Sequence, residues 1–145
     1  MDNSIFKINF GKLIMVKNIK LKTHIDSLLI VEKYIDQMKD EGVINEDCYG
    51  NVMVCATEAV NNSIHHGNKE DINKSIDLQI EYDDKTLTFD IKDEGPGFDY
   101  KNIPDPTLPE NIEKLSGRGV FLIKNLADEV EFIGNGSEIK FSFKL

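Results

Sequence analysis

The sequence predicts an α+β fold, a two-layer α/β sandwich in which a mostly antiparallel sheet carries helices on one face. Three observations predict it. Alternating apolar and polar runs at residues 75–82 and 85–92 meet at Asp83-Asp84, and runs at 129–133 and 137–145 meet at Asn135-Gly136, so each pair reads as a hairpin. Helical periodicity fills two stretches before the first hairpin and one between the hairpins. At 145 residues the chain has the length of one domain with a single core. Residues 1–145 are therefore read as one domain, with 1–17 as an N-terminal extension that has no assigned role.

Taken in order, residues 4–10 offer an additional strand, and 19–22 alternate as a strand does. Thr23 or Asp26 is placed to cap a helix through Leu28, Leu29, Val31, Ile35 and Met38 that ends near Gly42. Asn45 opens a second helix with Glu46 and Asp47 in its first turn, which suits the positive end of the helix dipole. That helix runs to Gly67. Residues 95–116 hold all four prolines (Pro96, Pro104, Pro106, Pro109) and few apolar side chains, and a loop of that length in a compact domain is usually functional. Residues 118–127 return to helical spacing with Val120, Phe121, Ile123 and Leu126.

Composition narrows the function. Seventeen basic against 26 acidic residues leave a net charge of −9, which repels nucleic-acid phosphates and anionic membranes at long range. No apolar run approaches a membrane span, and the first residues lack the pattern of a signal peptide, so a cytoplasmic protein is expected. Cys48 and Cys55 have no neighbouring ligand set and read as small buried hydrophobes. Of the basic residues a single one is Arg, at position 118, and it stands between two glycines.

The second helix carries the first chemical signal. Glu58, Asn61, Asn62 and His65 fall on one side, and Val52, Ala56, Ala59 and Ser63 on another. Asn and His are poor helix formers, so their use on this strip asks for a reason beyond solvation. A carboxylate one turn from a carboxamide suits metal-assisted phosphoryl transfer: one amide oxygen and nucleotide phosphates can hold Mg²⁺, while the carboxylate accepts a proton from the attacking hydroxyl. His65 and His66 point about 100° apart on a helix and cannot chelate one zinc ion as an i, i+4 pair would.

Two glycine boxes follow. In DEGPGFD, Gly95 and Gly97 allow close backbone approach and Asp93 offers an acceptor at a strand end. In SGRGVFLI, Gly117 and Gly119 open a helix whose first amides face an anion, with Arg118 between them. Each box alone is an ordinary turn or helix start; their order after E-x-x-x-N is specific.

In EAVNNSIHHGN, DEGPGFD and SGRGVFLI the chain resembles the GHKL ATPases, and within them the stand-alone anti-sigma-factor serine kinases, from about residue 19 to the C-terminus. The resemblance implies the GHKL (Bergerat) ATPase fold and a serine/threonine protein kinase using Mg-ATP. It implies Glu58 as general base, Asn62 as the Mg²⁺ ligand and Asp93 as acceptor for the adenine amino group. Nucleotide contacts are implied for Asn61, Asn62, His66, Asp93, Gly95, Gly97, Phe98, Gly117, Arg118, Gly119, Val120 and Ser137, with residues 100–116 as a lid over ATP. Where the anti-sigma kinases commonly carry Met between the second pair of glycines, this chain has Arg118. The partners implied are ATP or ADP, an anti-anti-sigma (STAS) protein, a sigma factor and a second copy of the chain in a homodimer. The alternative is a non-catalytic module that holds nucleotide to set its shape and captures a regulatory partner.

Overall fold

A computed structural model describes residues 2–103, 107 and 117–145. Two strands open the chain, β1 (Asp2–Asn9) and β2 (Lys12–Lys22), joined by the two-residue turn Phe10-Gly11. The additional strand expected at residues 4–10 is therefore present, and β2 begins seven residues earlier than the alternation at 19–22 indicated. Both turn residues have positive φ, 49° at Phe10 and 78° at Gly11, which matches the twist of a tight hairpin.

Helix α1 (Ser27–Asp40) starts without the side-chain cap expected from Thr23 or Asp26. Asp26 is itself helical in backbone angle, and the Thr23 hydroxyl is engaged elsewhere, donating to the Lys74 carbonyl at 2.7 Å. Ser27 likewise donates to the Lys22 carbonyl at 2.6 Å. At this strand-to-helix turn the two buried hydroxyls satisfy backbone carbonyls, and an exposed His24–Asp26 turn leads into the helix instead. Helix α2 (Glu46–Asn62) has the expected cap: Asn45 Oδ1 accepts from the Cys48 amide at 3.0 Å, an interaction worth about 1 kcal/mol. It changes to a π turn over Ser63–Gly67 before the chain leaves.

The remaining elements are β3 (Ser75–Tyr82), β4 (Thr86–Lys92), a 3₁₀ turn at Tyr100–Asn102, α3 (Arg118–Leu126), β5 (Glu129–Ile133) and β6 (Glu138–Lys144). Asp83 Oδ1 accepts from the amides of Lys85 and Thr86, so the Asp83-Asp84 turn is fixed by its own first residue. Most of the expected lid, residues 100–116, lies outside the described residues.

Among the described residues the sheet has six strands in the order β1-β2-β3-β4-β6-β5, every pair antiparallel. Period-two alternation gives it one apolar face. Leu21, Ile76, Leu78, Ile80, Leu87, Phe89, Ile91, Phe141 and Phe143 are buried there against Val31, Ile35 and Met38 of α1 and Val52, Cys55, Ala56 and Val60 of α2. Phe89 and Phe141 stack at 5.4 Å between ring centres, which fixes the β4–β6 register from the inside. The fold is the α+β sandwich that the alternation predicts. Of the two cysteines, Cys55 is in the core, while Cys48 is only half-buried, with its sulfur 3.7 Å from the Asn45 carbonyl.

Candidate functional site

The C-terminal ends of α2 and β4, the start of α3 and the β5–β6 turn converge on one cleft of about 260 Å³. Its floor is apolar, made by Ala59, Ile91, Val120, Ile123, Phe132 and Ile139. Its polar side chains come from Asn62, Ser63, His66, Asp93, Asp99, Asn102 and Ser137. A flat apolar slot with a few directional polar groups is the usual form of a small-molecule site, although this volume lies below the usual range of about 300–1,000 Å³.

Asp93 stands at the end of β4, half-buried. Its Oδ1 accepts from the Gly95 amide at 2.8 Å, and the Ser63 hydroxyl also bonds the carboxylate. Burial raises its pKa above the ordinary carboxylate value; the Gly95 amide, the Ser63 hydroxyl and the Lys74 charge work against that rise. Facing it is Gly67, the last residue of the π turn. A Cβ at Gly67 would lie 2.2 Å from Asp93 Oδ2, and one at Gly95 would lie 2.1 Å from the Gly67 carbonyl oxygen. The two turns therefore touch backbone to backbone. The π turn is the local distortion that brings Gly67 to Asp93, and such distortions collect at functional sites.

Gly97 has φ 78°, and its Cβ would meet the Asn135 carbonyl at 2.1 Å. Asn135 holds this box from the β5–β6 turn: its carbonyl accepts from the Phe98 amide at 2.9 Å and its Nδ2 donates to the Pro96 carbonyl at 2.8 Å. For that reason the Asn135-Gly136 turn spans four residues between Ile133 and Glu138, longer than a two-residue hairpin turn. Ser137 Oγ donates to Asn135 Oδ1 at 2.9 Å on the cleft wall. Phe98 packs edge-on to Phe132 at 5.4 Å, and Tyr100 stacks on Phe132 at 4.9 Å.

At the other end, Gly117 is left-handed at φ 87° and caps α3. The first helical bond of α3 runs from the Phe121 amide to the Gly117 carbonyl, so the amides of Gly119 and Val120 precede the ladder at the positive end of the dipole. A Cβ at Gly119 would lie 2.7 Å from Glu58 Oε2 and 2.8 Å from Asn62 Nδ2. The helix start thus presses directly on the carboxylate–carboxamide pair of α2.

Of the residues expected from sequence, Asn62, His66, Asp93, Gly97, Phe98, Gly117, Val120 and Ser137 line the cleft. Gly95 packs behind Asp93 on Gly67, and Glu58 and Gly119 meet beside Asn62 at the cleft's edge. Asn61 and Arg118 are not among the lining residues; Asn61 is half-buried and Arg118 is exposed at the start of α3. Sequence reasoning missed the apolar floor, whose residues read simply as core, and it missed Asn135, Asn102 and Ile103. The unusually long turn is the signal that Asn135 left in the structure, and it is invisible in the motif.

Residues 26–143 match the model of the histidine kinase-like ATPase domain. The chain belongs to this ATPase family. It is also 36% identical over 84 residues to the serine-protein kinase RsbW of Staphylococcus aureus strains JH9, Newman and JH1. That alignment covers 53% of this chain and 53% of each relative, so the chain spans about half the length of the curated relatives it matches. Membership of the family, with its use of ATP, agrees with a slot that pairs an apolar floor with the N-terminus of a helix. Among the described residues no cluster of three or more His, Cys, Asp or Glu side chains forms. No helix among them is long and apolar enough to cross a membrane.

Proposed function

We propose that the protein is an ATP-dependent serine/threonine protein kinase and anti-sigma-factor-like regulator in a partner-switching circuit, with an anti-anti-sigma (STAS) protein as substrate. The observation that carries this reading is the meeting of Glu58, Asn62 and the Gly119 end of α3 at one edge of a cleft whose other end is Asp93. The adenine ring fits the apolar floor, with its amino group donating to Asp93. The phosphates would lie against the amides of residues 117–120. Because Gly119 is already in contact with Glu58 and Asn62, the triphosphate needs the start of α3 to move outward. Mg²⁺, when bound, supplies charge neutralisation on the phosphate oxygens, and the Asn62 amide oxygen would hold it.

Glu58 then has one task. As the substrate serine Oγ attacks the γ-phosphorus and the bond to the β–γ bridging oxygen breaks, Glu58 takes the hydroxyl proton and ADP leaves. A module that only captures partners needs no carboxylate there, which favours the enzyme over the alternative. Labelled Mg-ATP and a candidate STAS protein test this directly. Phosphoryl transfer should fall at least about 100-fold in Glu58→Ala while ADP affinity stays within a few-fold. Unchanged transfer by that variant removes Glu58 from the role, and binding without any transfer by the natural chain supports the capture module.

The homodimer belongs to the same proposal. Phe6, Ile8, Phe10 and Leu13 of the first hairpin are exposed, and apolar side chains so grouped suit a second copy. Sedimentation velocity should show a two-chain species that Phe6→Ser with Ile8→Ser converts to one chain. A monomer at tens of micromolar in the natural sequence would refute it.

A further inference from the structure

Just past the π turn lies Asn68, fully buried, with every hydrogen-bonding group in use. Its Oδ1 accepts from the Glu94 amide at 2.8 Å. Its Nδ2 donates to Thr23 Oγ1 at 2.9 Å and to the Ser75 carbonyl at 3.0 Å. The backbone amide donates to the Ser63 carbonyl at 2.8 Å, and the backbone carbonyl accepts from the Asp71 amide at 3.0 Å. Glu94 is clipped a second time, its Oε2 accepting from the Ser75 amide at 2.6 Å. One residue therefore ties the end of β2, the start of β3 and the turn beyond β4 through its side chain, and the π turn through its backbone amide. Directly after it, Lys69 and Glu70 sit at φ 52° and 61°, a conformation that non-glycine residues hold only where the surroundings over-determine it.

We propose that Asn68 is a positioning residue for nucleobase selection: by holding the Glu94 amide, it fixes the turn that aims the Asp93 carboxylate past Gly67 into the cleft. The inference rests on the nucleotide reading given above. Consecutive amides bear the load. The Glu94 amide is held by Asn68 and the Gly95 amide by Asp93 itself, so rotating the 93–94 peptide turns the carboxylate with it. The contact between Gly67 and the carboxylate leaves no slack between the two turns, and Asn68 is bonded to both. An aimed carboxylate accepts from the amino group of adenine and repels the carbonyl that guanine carries at the same place. Selection of this kind depends on a polar group being held where the correct base can pair with it and the wrong base cannot.

The test is titration calorimetry with Mg-ATP and Mg-GTP, together with thermal melts, on the full chain. Asn68→Ala should cut the preference for ATP over GTP by roughly tenfold, the effect of leaving one buried hydrogen-bonding group unpaired, and mainly through weaker ATP binding. Thr23→Val, which removes one partner of Asn68 and keeps the shape, should move the ratio the same way by less, and it decides the matter if Asn68→Ala does not fold. Ser27→Ala loses a buried hydroxyl outside this network, so it should lower the melting temperature and leave the ratio alone. An unchanged ratio in a folded Asn68→Ala, or in Thr23→Val, overturns the inference while nucleotide binding stands. A natural chain that binds ATP and GTP equally also overturns it. A natural chain that binds neither overturns the nucleotide reading, and this inference with it.

Discussion

Gly67 and Gly50 are the same residue type under opposite constraints. At Gly67 a single methyl group would overlap the Asp93 carboxylate at 2.2 Å, whereas at Gly50, in the second turn of α2, it would meet nothing within 4 Å. Gly67→Ala should therefore push the two turns apart and weaken ATP binding by at least about tenfold, since a misplaced acceptor loses a hydrogen bond to a charged group. Gly50→Ala should leave binding unchanged and raise stability by about 1 kcal/mol, the helix preference of alanine over glycine. Calorimetry and urea unfolding read both. Equal ATP affinity in the two variants would show that the Gly67–Asp93 contact has no part in binding. Cys55 is the other residue whose surroundings decide its chemistry. Burial, with the Glu58 carboxylate nearby, pushes its thiol up to about 12, so it packs as a small hydrophobe and does not react as a thiolate.

At the scale of elements, the polar face of the sheet holds a strained pairing between β4 and β6. Asp90 on β4 and Glu138 on β6 are diagonal neighbours that share a hydrogen bond. Burial first, then that bond and the Glu138 charge, push Asp90 up to about 6, while Lys140 and Lys92 pull it down. A folded-state pKa raised above the unfolded value means that the folded form binds the proton more tightly. Stability is thus fully retained below about pH 4 and declines as pH rises through about 4 to about 6, where the carboxyl must ionise beside Glu138. Asp90→Asn keeps a donor toward Glu138 and cannot ionise. It should raise the melting temperature at pH 8 and leave it nearly unchanged at pH 4. A variant that gains equally at both pH values would show that repulsion between the two carboxylates is not the cause. Much of the Asp90 side chain faces water, so the gain will be smaller than the shift alone implies.

For the whole molecule, the cleft is lined by three parts that are distant in sequence: the end of α2, the start of α3 and the β5–β6 turn. A ligand that fills it joins them and should stabilise the fold as a unit. Mg-ATP at about 100 times its Kd should add about 2.7 kcal/mol to unfolding, and scanning calorimetry will read this as a higher melting temperature. Gly67→Ala should reduce that shift at the same ligand concentration. A natural chain with no shift at millimolar Mg-ATP and Mg-ADP would end the nucleotide reading, whatever the family resemblance. The core beneath the cleft sets the baseline. Phe89 is fully buried between Phe141 and Phe143, and the stack couples the Asp93 strand to the strand that follows Ser137.

Much of this protein was written locally in its sequence. Period-two runs gave β3 to β6 to within a residue or two, because one face of each strand is buried and the alternation must follow the pleat. The Asn45 cap, the two glycine boxes and the carboxylate–carboxamide spacing on α2 were legible for the same reason: each depends on neighbours within a few positions. Contacts between distant segments were not. The start of α1 depends on Lys74, 51 residues from Thr23. The lengthened β5–β6 turn depends on Pro96, and the burial of Asn68 depends on Glu94. Sequence alone marked the helix strip and the two glycine boxes, because side-chain chemistry and helix or strand periodicity are local. Tertiary structure alone decided how they face each other, because the gap between Gly67 and Asp93 is set where two turns far apart in the chain are packed together.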